Sequence, residues 1–335
     1  MTLPTAHPPS RVGVVAIGRN EGERLERCLR SLCPQVPTIV YVDSGSEDDS
    51  VAFARSLDVH VEELDPSVPF TMARARNLGF AALMQRQPET VFVQFVDGDC
   101  EVNFTWIARA VEALESRPEV GAVSGHRREI YRNASIYNRV ADIEWESPVG
   151  DVAFCGGDVM MRAKTFRDIG GYAEAMIAGE DPEISVRIRR AGWKILKLDA
   201  LMTRHDAAMM RFSQWWKRSV RSGHAYAEQT WMHGAPPERH AVQPVRSNWV
   251  WGLFLPAVIL AAAWPSGGWS LLLGGLYPAW MWRVGRAVQR RGHTSADAVL
   301  YGVTCMLGKF PMMLGQMTFR WSLLTGRKRS LIEYK

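Results

Sequence analysis

The chain has 335 residues, 47% of them apolar, enough for one catalytic domain with a buried core plus a smaller module. Its five scattered cysteines form no Cys-x-x-Cys pair, which argues against a zinc or redox centre and fits reduced thiols in a cytosolic compartment. The net charge of +5 hides an asymmetry: from Arg204 onward there are 17 Lys/Arg against 5 Asp/Glu, giving +12, and the first 203 residues carry −7. The basic part brackets Trp-, Leu- and Met-rich stretches, so its anionic partner is expected to be membrane lipid, with no nucleic acid involved.

Residues 1–10 contain three prolines and no apolar run, and are expected to be a disordered tail with no secretory signal. Val12 to Ile17 reads as a strand, and Glu21 to Ser31 as a helix with Leu25, Cys28, Leu29 and Leu32 at helical spacing. The alternation continues with a strand from Thr38 to Val42, a helix from Asp48 to Leu57 and a strand from Val59 to Leu64. A helix from Met72 to Met84, a strand from Val91 to Val96 and a helix from Phe104 to Glu115 follow. Strand and helix in this order imply an α/β fold whose sheet is covered on both faces and binds ligands beyond the carboxyl ends of its strands.

Polar residues stand at those ends: Arg19-Asn20-Glu21, Asp43-Ser44-Gly45-Ser46 and Asp97-Gly98-Asp99. The first loop has no Gly-x-Gly-x-x-Gly pattern and no Gly-Lys-Ser/Thr loop occurs, which sets aside dinucleotide and P-loop readings. Acidic edges repel phosphates unless a cation intervenes, and hard carboxylate oxygens after a buried strand suit Mg²⁺ or Mn²⁺. His205 lies past the apolar run from Ile195 to Leu201 and reads either as a structural histidine or as a further metal ligand. Glu180 and Asp181 open a helix that ends at Gly192, where acids also complement the helix dipole.

Together these residues resemble the family 2 glycosyltransferases, inverting enzymes of the GT-A fold, over about Val12 to Tyr226. Arg19-Asn20-Glu21 is similar to the family's Asn-Glu entry, Asp43 to Asp48 to its Asp-x-Gly-Ser-x-Asp segment, and Ala73 to Gly79 to its Ala-Arg-Asn-x-Gly segment. The resemblance implies donor binding by Arg19, Asn20, Glu21, Asp43, Gly45, Ser46, Arg76, Asn77, Asp97 and Gly98. Glu21 and Asp43 would contact the base and ribose of a uridine-type nucleotide, and Asp99, with His205, would hold the metal. Gly156-Gly157-Asp158 with Arg162 looks like the acceptor-side segment; Arg162 equally fits a structural ion pair. Inverting transfer needs a carboxylate to deprotonate the acceptor hydroxyl, which assigns Asp181 as base with Glu180 supporting it or binding the acceptor. Gln214-Trp-Trp-Lys-Arg218 departs from the Gln-x-x-Arg-Trp of processive polymer synthases, so single-sugar transfer is expected.

In the tail, Phe212, Trp215, Trp216 and Val220 share a helical face beside Arg211, Lys217, Arg218 and Arg221, fitting a helix on an anionic membrane surface or one packed on the catalytic domain. Charge-free stretches Trp249 to Trp264 and Trp269 to Trp282 read as a hairpin, each about 24 Å long at 1.5 Å per residue, short of the roughly 30 Å hydrocarbon core. Arginines at both ends place both on the cytoplasmic side. Val299 to Phe319, broken by Lys309 and Pro311, reads as an interfacial or core-packed helix pair before Arg327-Lys328-Arg329.

The sequence therefore predicts a tail (1–10), a GT-A domain with a mixed, mainly parallel sheet (11–226) and a linker (227–247). A helical membrane-associated module (248–335) follows, with a hairpin at 249–282 and helices within 295–325. The expected activity is metal-dependent, inverting transfer from a nucleotide sugar to a lipid-linked or envelope glycan at the cytoplasmic face of the inner membrane. The alternatives are a sugar-phosphate nucleotidyltransferase and a non-catalytic membrane scaffold.

Overall fold

The computed structural model describes residues 11–326, and the expected tail (1–10) and the basic Arg327-Lys328-Arg329 lie outside them. The first half runs β1 (Val12–Gly18), α1 (Glu23–Leu32), β2 (Ile39–Asp43), α2 (Ser50–Ser56), β3 (His60–Glu63), α3 (Met72–Arg86), β4 (Phe92–Asp97), β5 (Cys100–Val102) and α4 (Trp106–Ser116). It continues with β6 (Val120–Glu129), α5 (Ile136–Glu144), β7 (Gly150–Val152), β8 (Val159–Arg162), α6 (Ala163–Asp168), α7 (Glu180–Arg190) and β9 (Lys194–His205). The remainder is helical: α8 (Phe212–His233), α9 (Val242–Trp249), α10 (Leu255–Ala263), α11 (Leu276–Gln289), α12 (Ser295–Leu307) and α13 (Lys309–Thr325).

Contacts divide the chain into two units, residues up to Ile130 with Trp145–Ala207, and Tyr131–Glu144 with Ala208 onward. The first holds a nine-stranded sheet in the order β3-β2-β1-β4-β8-β6-β9-β5, with β7 on β9. β1, β2, β3 and β4 are parallel, as their alternation with helices requires. β8 runs antiparallel to β4 and β6, and β5 and β7 antiparallel to β9, so the sheet is mixed. Apolar cores lie on both faces: Val14, Leu25, Leu29 and Trp106 belong to one, and Val15, Leu83, Phe95 and Ile184 to the other.

Among its described residues the second unit holds helices and their connections, with no strand. Its expected boundary at 226 falls inside α8, a continuous 22-residue helix, and most of the expected linker is helical. α9 continues through a π-helical turn (Val250–Phe254) into α10, making Val242–Ala263 one 22-residue apolar helix. The hairpin's return arm begins as a 3₁₀ segment (Trp269–Gly275), where Gly274 and Gly275 weaken α-helix, before α11. α12 and α13 form Ser295–Thr325; this segment and Val242–Ala263 are both long and apolar enough to cross a membrane. Trp215 is buried and Phe212 exposed, so the aromatic face expected to be shared along α8 is split between packing and surface.

Candidate active site

The site grows from the carboxyl ends of β1, β2 and β4. Gly18 pairs with Asp43 and Ile17 with Asp97, which sets the three acidic loops side by side. The first two are stitched together. Asn20, at φ 52°, donates its backbone N–H to Ser46 Oγ (2.9 Å), and its Oδ1 accepts from Glu47 N (2.7 Å). Asp43 Oδ2 accepts from the N–H groups of Gly45 (2.9 Å) and Ser46 (2.7 Å), while Oδ1 accepts from the hydroxyls of Tyr41 and Ser46. Gly45 sits at φ 82°, and a Cβ there would come 2.9 Å from Phe70, over whose ring the Arg19 guanidinium lies. Arg19, Asn20, Glu21, Asp43, Gly45 and Ser46 are thus brought to one edge. Asn20, Asp43 and Ser46, however, use their hydrogen-bonding groups to shape it.

Arg76 organises the next layer. Thr71 caps α3 by accepting from Arg74 N, which starts the helix and places Arg76 inward with 1% exposure. Its Nη2 meets Asp97 Oδ1 at 2.7 Å, and its Nη1 meets Glu180 Oε1 at 2.8 Å and Asp181 Oδ1 at 3.2 Å. One guanidinium therefore joins carboxylates from β4 and α7. Gly179, at φ 82°, lets the chain turn into α7 so that both acids stand in its first turn. Burial pushes the Asp181 carboxyl up to about 7, with Arg76 opposing and Glu180 and Asp97 reinforcing. Asp181 keeps 23% of its side chain exposed, whereas Glu180 keeps 2%.

Behind Asp97 stands a second arginine–aspartate pair. Asp158, fully buried, accepts from Asp97 N (3.0 Å), Thr203 Oγ1 (2.7 Å) and Arg127 Nη2 (2.8 Å). Burial alone would raise its carboxyl; Arg127 and these donors hold it below the ordinary value. Arg127 also reaches Asp97 Oδ2 at 3.5 Å and lies over the Trp145 ring.

The Asp99 side of the turn faces β9. β5 pairs Cys100 with His205, which brings His205 Nε2 to 3.3 Å from Asp99 Oδ2. Glu129 Oε2 lies 3.8 Å from the other ring nitrogen and accepts from Ala207 N, and Trp145 packs edge-on to the ring. Donor atoms of Asp99, Cys100 and His205 lie within 4.8 Å of one another. Burial raises the Cys100 thiol well above its ordinary value, and a hard Mg²⁺- or Mn²⁺-type ion prefers the Asp99 oxygen and the His205 nitrogen to a sulfur. Their separation fits adjacent ligands on a Mg²⁺- or Mn²⁺-sized ion, which at about 2.1 Å per bond stand roughly 3 Å apart.

Four expectations change. Asp158 has no exposed surface and its oxygens are taken by Asp97 N, Thr203 and Arg127, so it props the Asp97 turn from the interior instead of facing the acceptor side. Arg162 pairs with Phe92 at the opposite end of β4 and donates to the carbonyls of Val120, Leu114 and Arg117, tying strand to helix far from the site. Asn77 does not face the donor edge: its amide donates to Tyr172 O and Glu174 Oε1 and accepts from Tyr172 N, fastening the segment after α6. Arg76 is sealed among carboxylates and holds the site together from below. Gly157 does belong to the site; a Cβ there would lie 2.3 Å from Arg76 Nη2 and 3.3 Å from Asp181 Oδ2. Gly98 is equally tight, with Ile17 O 3.0 Å from where a Cβ would stand. Sequence reasoning missed Arg127, Trp145 and Thr203, which occur in no recognisable motif: Arg127 and Thr203 meet through the pairing of β6 with β9, and Trp145, just after α5, packs against Arg127 and His205.

Residues 14–170 match the family model described as "Glycosyl transferase family 2". The chain is 24% identical over 235 residues to Glycosyltransferase AglE of Haloferax volcanii, covering 66% of this chain and 74% of that one. It is 24% identical over 270 residues to Succinoglycan biosynthesis protein ExoA of Rhizobium meliloti, covering 77% and 80%. In fold it is similar to the mannosyltransferase PcManGT from Pyrobaculum calidifontis, solved in complex with GDP-Man and Mn²⁺. There the TM-score is 0.62 and the identity 18%, over 96% of this chain and 91% of that one.

Proposed function

The chain belongs to the family 2 glycosyltransferases, and we propose that it transfers one sugar, with inversion and with a divalent metal, from a nucleoside-diphosphate donor to an acceptor at a membrane. The observation that carries this reading is Arg76, which fixes Asp97 on β4 and Asp181 on α7 together beside the Asp99–His205 pair.

In this reading the nucleotide lies over Glu21 and the Asp43–Ser46 turn, a uridine base being what the family resemblance implies. Asp97, held on both oxygens by arginines, keeps its orientation towards the donor sugar. Asp99 and His205 hold the metal, and Glu129 and Trp145 keep the imidazole in place. A bound Mg²⁺ or Mn²⁺ neutralises charge on the leaving diphosphate. Asp181 takes the proton of the attacking hydroxyl, a role suited to a partly exposed carboxyl that titrates near 7. The apolar helices of the second unit support placement at a membrane, and the basic residues beside them support anionic lipid contact with the catalytic unit on the cytoplasmic side.

Calorimetric titration of UDP and GDP, with and without Mn²⁺, tests the donor half. Metal-dependent binding to the wild type, lost in Asp99→Ala and weakened in His205→Ala, is the expected result. Equal binding without metal in all three proteins would contradict it.

A further inference from the structure

At the end of the sheet opposite the acidic loops, a pocket of about 310 Å³ opens where the chain enters β4, leaves β8 and enters β9. That volume stands at the small end of ligand pockets, roughly 300–1,000 Å³. Val91, Pro118, Ala163 and Trp193 give it an apolar wall, Arg162, Lys164 and Arg167 a cationic one, and no carboxylate lines it. Phe92, next to Val91, pairs with Arg162. From Phe92 to Asp97, β4 rises about 3.3 Å per residue, which puts the pocket about 17 Å from the transfer site.

Its cations are unevenly paired. Lys164, 68% exposed at the rim, reaches Asp168 on its own helix. Arg162 spends Nε and Nη2 on the carbonyls of Val120, Leu114 and Arg117, and its Nη1 has no hydrogen bond among the described residues. Arg167 donates from Nη1 to the Met84 sulfur at 3.4 Å, and neither arginine forms an ion pair among the described residues. Burial pulls the Arg162 guanidinium below its ordinary value, and Glu115 and Glu119 offset this only in part. A partly buried cation short of counter-charge is stabilised by an anion that reaches it.

The two kinds of wall select the ligand together. Guanidinium donors match the oxygens of a phosphate or carboxylate, and without an acid in the lining they repel a metal ion. A bare inorganic anion would leave the Trp193 and Pro118 rings in water, whereas a ligand with an apolar ring of its own covers them. We propose that this pocket is a second ligand site, separate from the transfer site, for a small organic anion. Its flat ring lies against Trp193 and Pro118, and its phosphate or carboxylate is held by Arg162 and Arg167. Binding is non-covalent and uses none of Asp97, Asp99 and Asp181, so the inference does not rest on the transferase reading.

The test is calorimetric titration of full-length protein in detergent with phenyl phosphate, benzoate, inorganic phosphate and phenol, with EDTA present to empty any metal site. Phenyl phosphate or benzoate should saturate the protein, the tighter of the two naming the anion, and inorganic phosphate and phenol should bind at least about tenfold more weakly. Arg162 also ties backbone carbonyls, so the informative variants are at the exposed positions. Arg167→Gln should weaken the aromatic anion about fivefold, Arg167→Lys less, and Lys164→Gln least, with the thermal midpoint unchanged. In a second titration without EDTA, UDP with Mn²⁺ should leave that binding unchanged. No saturation by either aromatic anion at about 10 mM, or inorganic phosphate or phenol binding as tightly as both, overturns the inference. So does an unaltered Kd in the Arg167→Gln, Lys164→Gln double variant, or displacement by UDP with Mn²⁺. Each of these results leaves the transferase reading standing.

Discussion

The sheet unit and the helical unit differ most in what they turn outward. In the sheet unit, Val14, Val15, Leu25, Leu83, Phe95 and Trp106 fill the interior, and the buried charges of Arg76, Glu180 and Asp158 have ionic partners at 2.7–3.2 Å. In the helical unit Trp264, Trp269, Leu260, Leu272, Trp282 and Leu324 are turned outward, each at least 68% exposed, while Asn248, Gln316, His224 and Gln229 are inside. Water drives the first arrangement. The second suits a hydrocarbon surround, which removes the penalty on outward leucines and leaves close helix contact to hold the unit together. Its glycines agree: a Cβ on Gly223 would lie 1.9 Å from Met312 O, and one on Gly315 2.0 Å from Val220 O, so α8 and α13 meet backbone to backbone.

Each half of this contrast can be broken separately. Arg76→Leu removes the cation shared by Asp97, Glu180 and Asp181, and should cost the sheet unit about 3–5 kcal/mol, read as a fall in thermal midpoint. Gly223→Val forces α8 from α13 and should cost the helical unit about 1–3 kcal/mol or more, seen as aggregation on detergent extraction. The pH profile sharpens the catalytic half. A base acts when deprotonated, so with the Asp181 carboxyl at about 7 the kcat/KM of the free enzyme should be low below pH 6, rise through about 7 and level above it. The smallest effect belongs to the membrane half: Trp264→Ser with Trp269→Ser should weaken partitioning onto anionic vesicles several-fold and leave donor binding unchanged.

Local periodicity and loop chemistry were legible in the sequence. Leu25, Cys28, Leu29 and Leu32 all face the core, and the Asp97–Asp99 turn falls at the carboxyl end of a buried strand as its spacing implies. The chemistry of inverting transfer picked Asp181 from the start of its helix, the position of His205 after an apolar run made it a candidate ligand, and the family resemblance added the separate roles of Asp97 and Asp99. Long-range pairing was not legible. β8 is four residues between glycines and a helix, and its antiparallel insertion between β4 and β6 carries Asp158 under the turn and Arg162 to the opposite end. Arg127 sits in His126-Arg127-Arg128, which reads as a solvated basic run; only the sheet turns it towards Asp97 and Asp158. Asn77 illustrates the converse, since it stands one residue from Arg76 on α3 and faces a different loop.

The central claim is that Arg76 assembles a metal-dependent transfer site in which Asp99 serves the metal and Asp181 the proton. The direct test is the rate of sugar transfer from nucleotide sugars, with Mn²⁺ present, by wild-type, Asp99→Ala and Asp181→Asn protein in membranes. The account predicts a loss of about 10²–10⁴-fold in Asp181→Asn with donor binding retained, and a comparable loss in Asp99→Ala with metal-dependent binding gone. Transfer at the wild-type rate by either variant would contradict it.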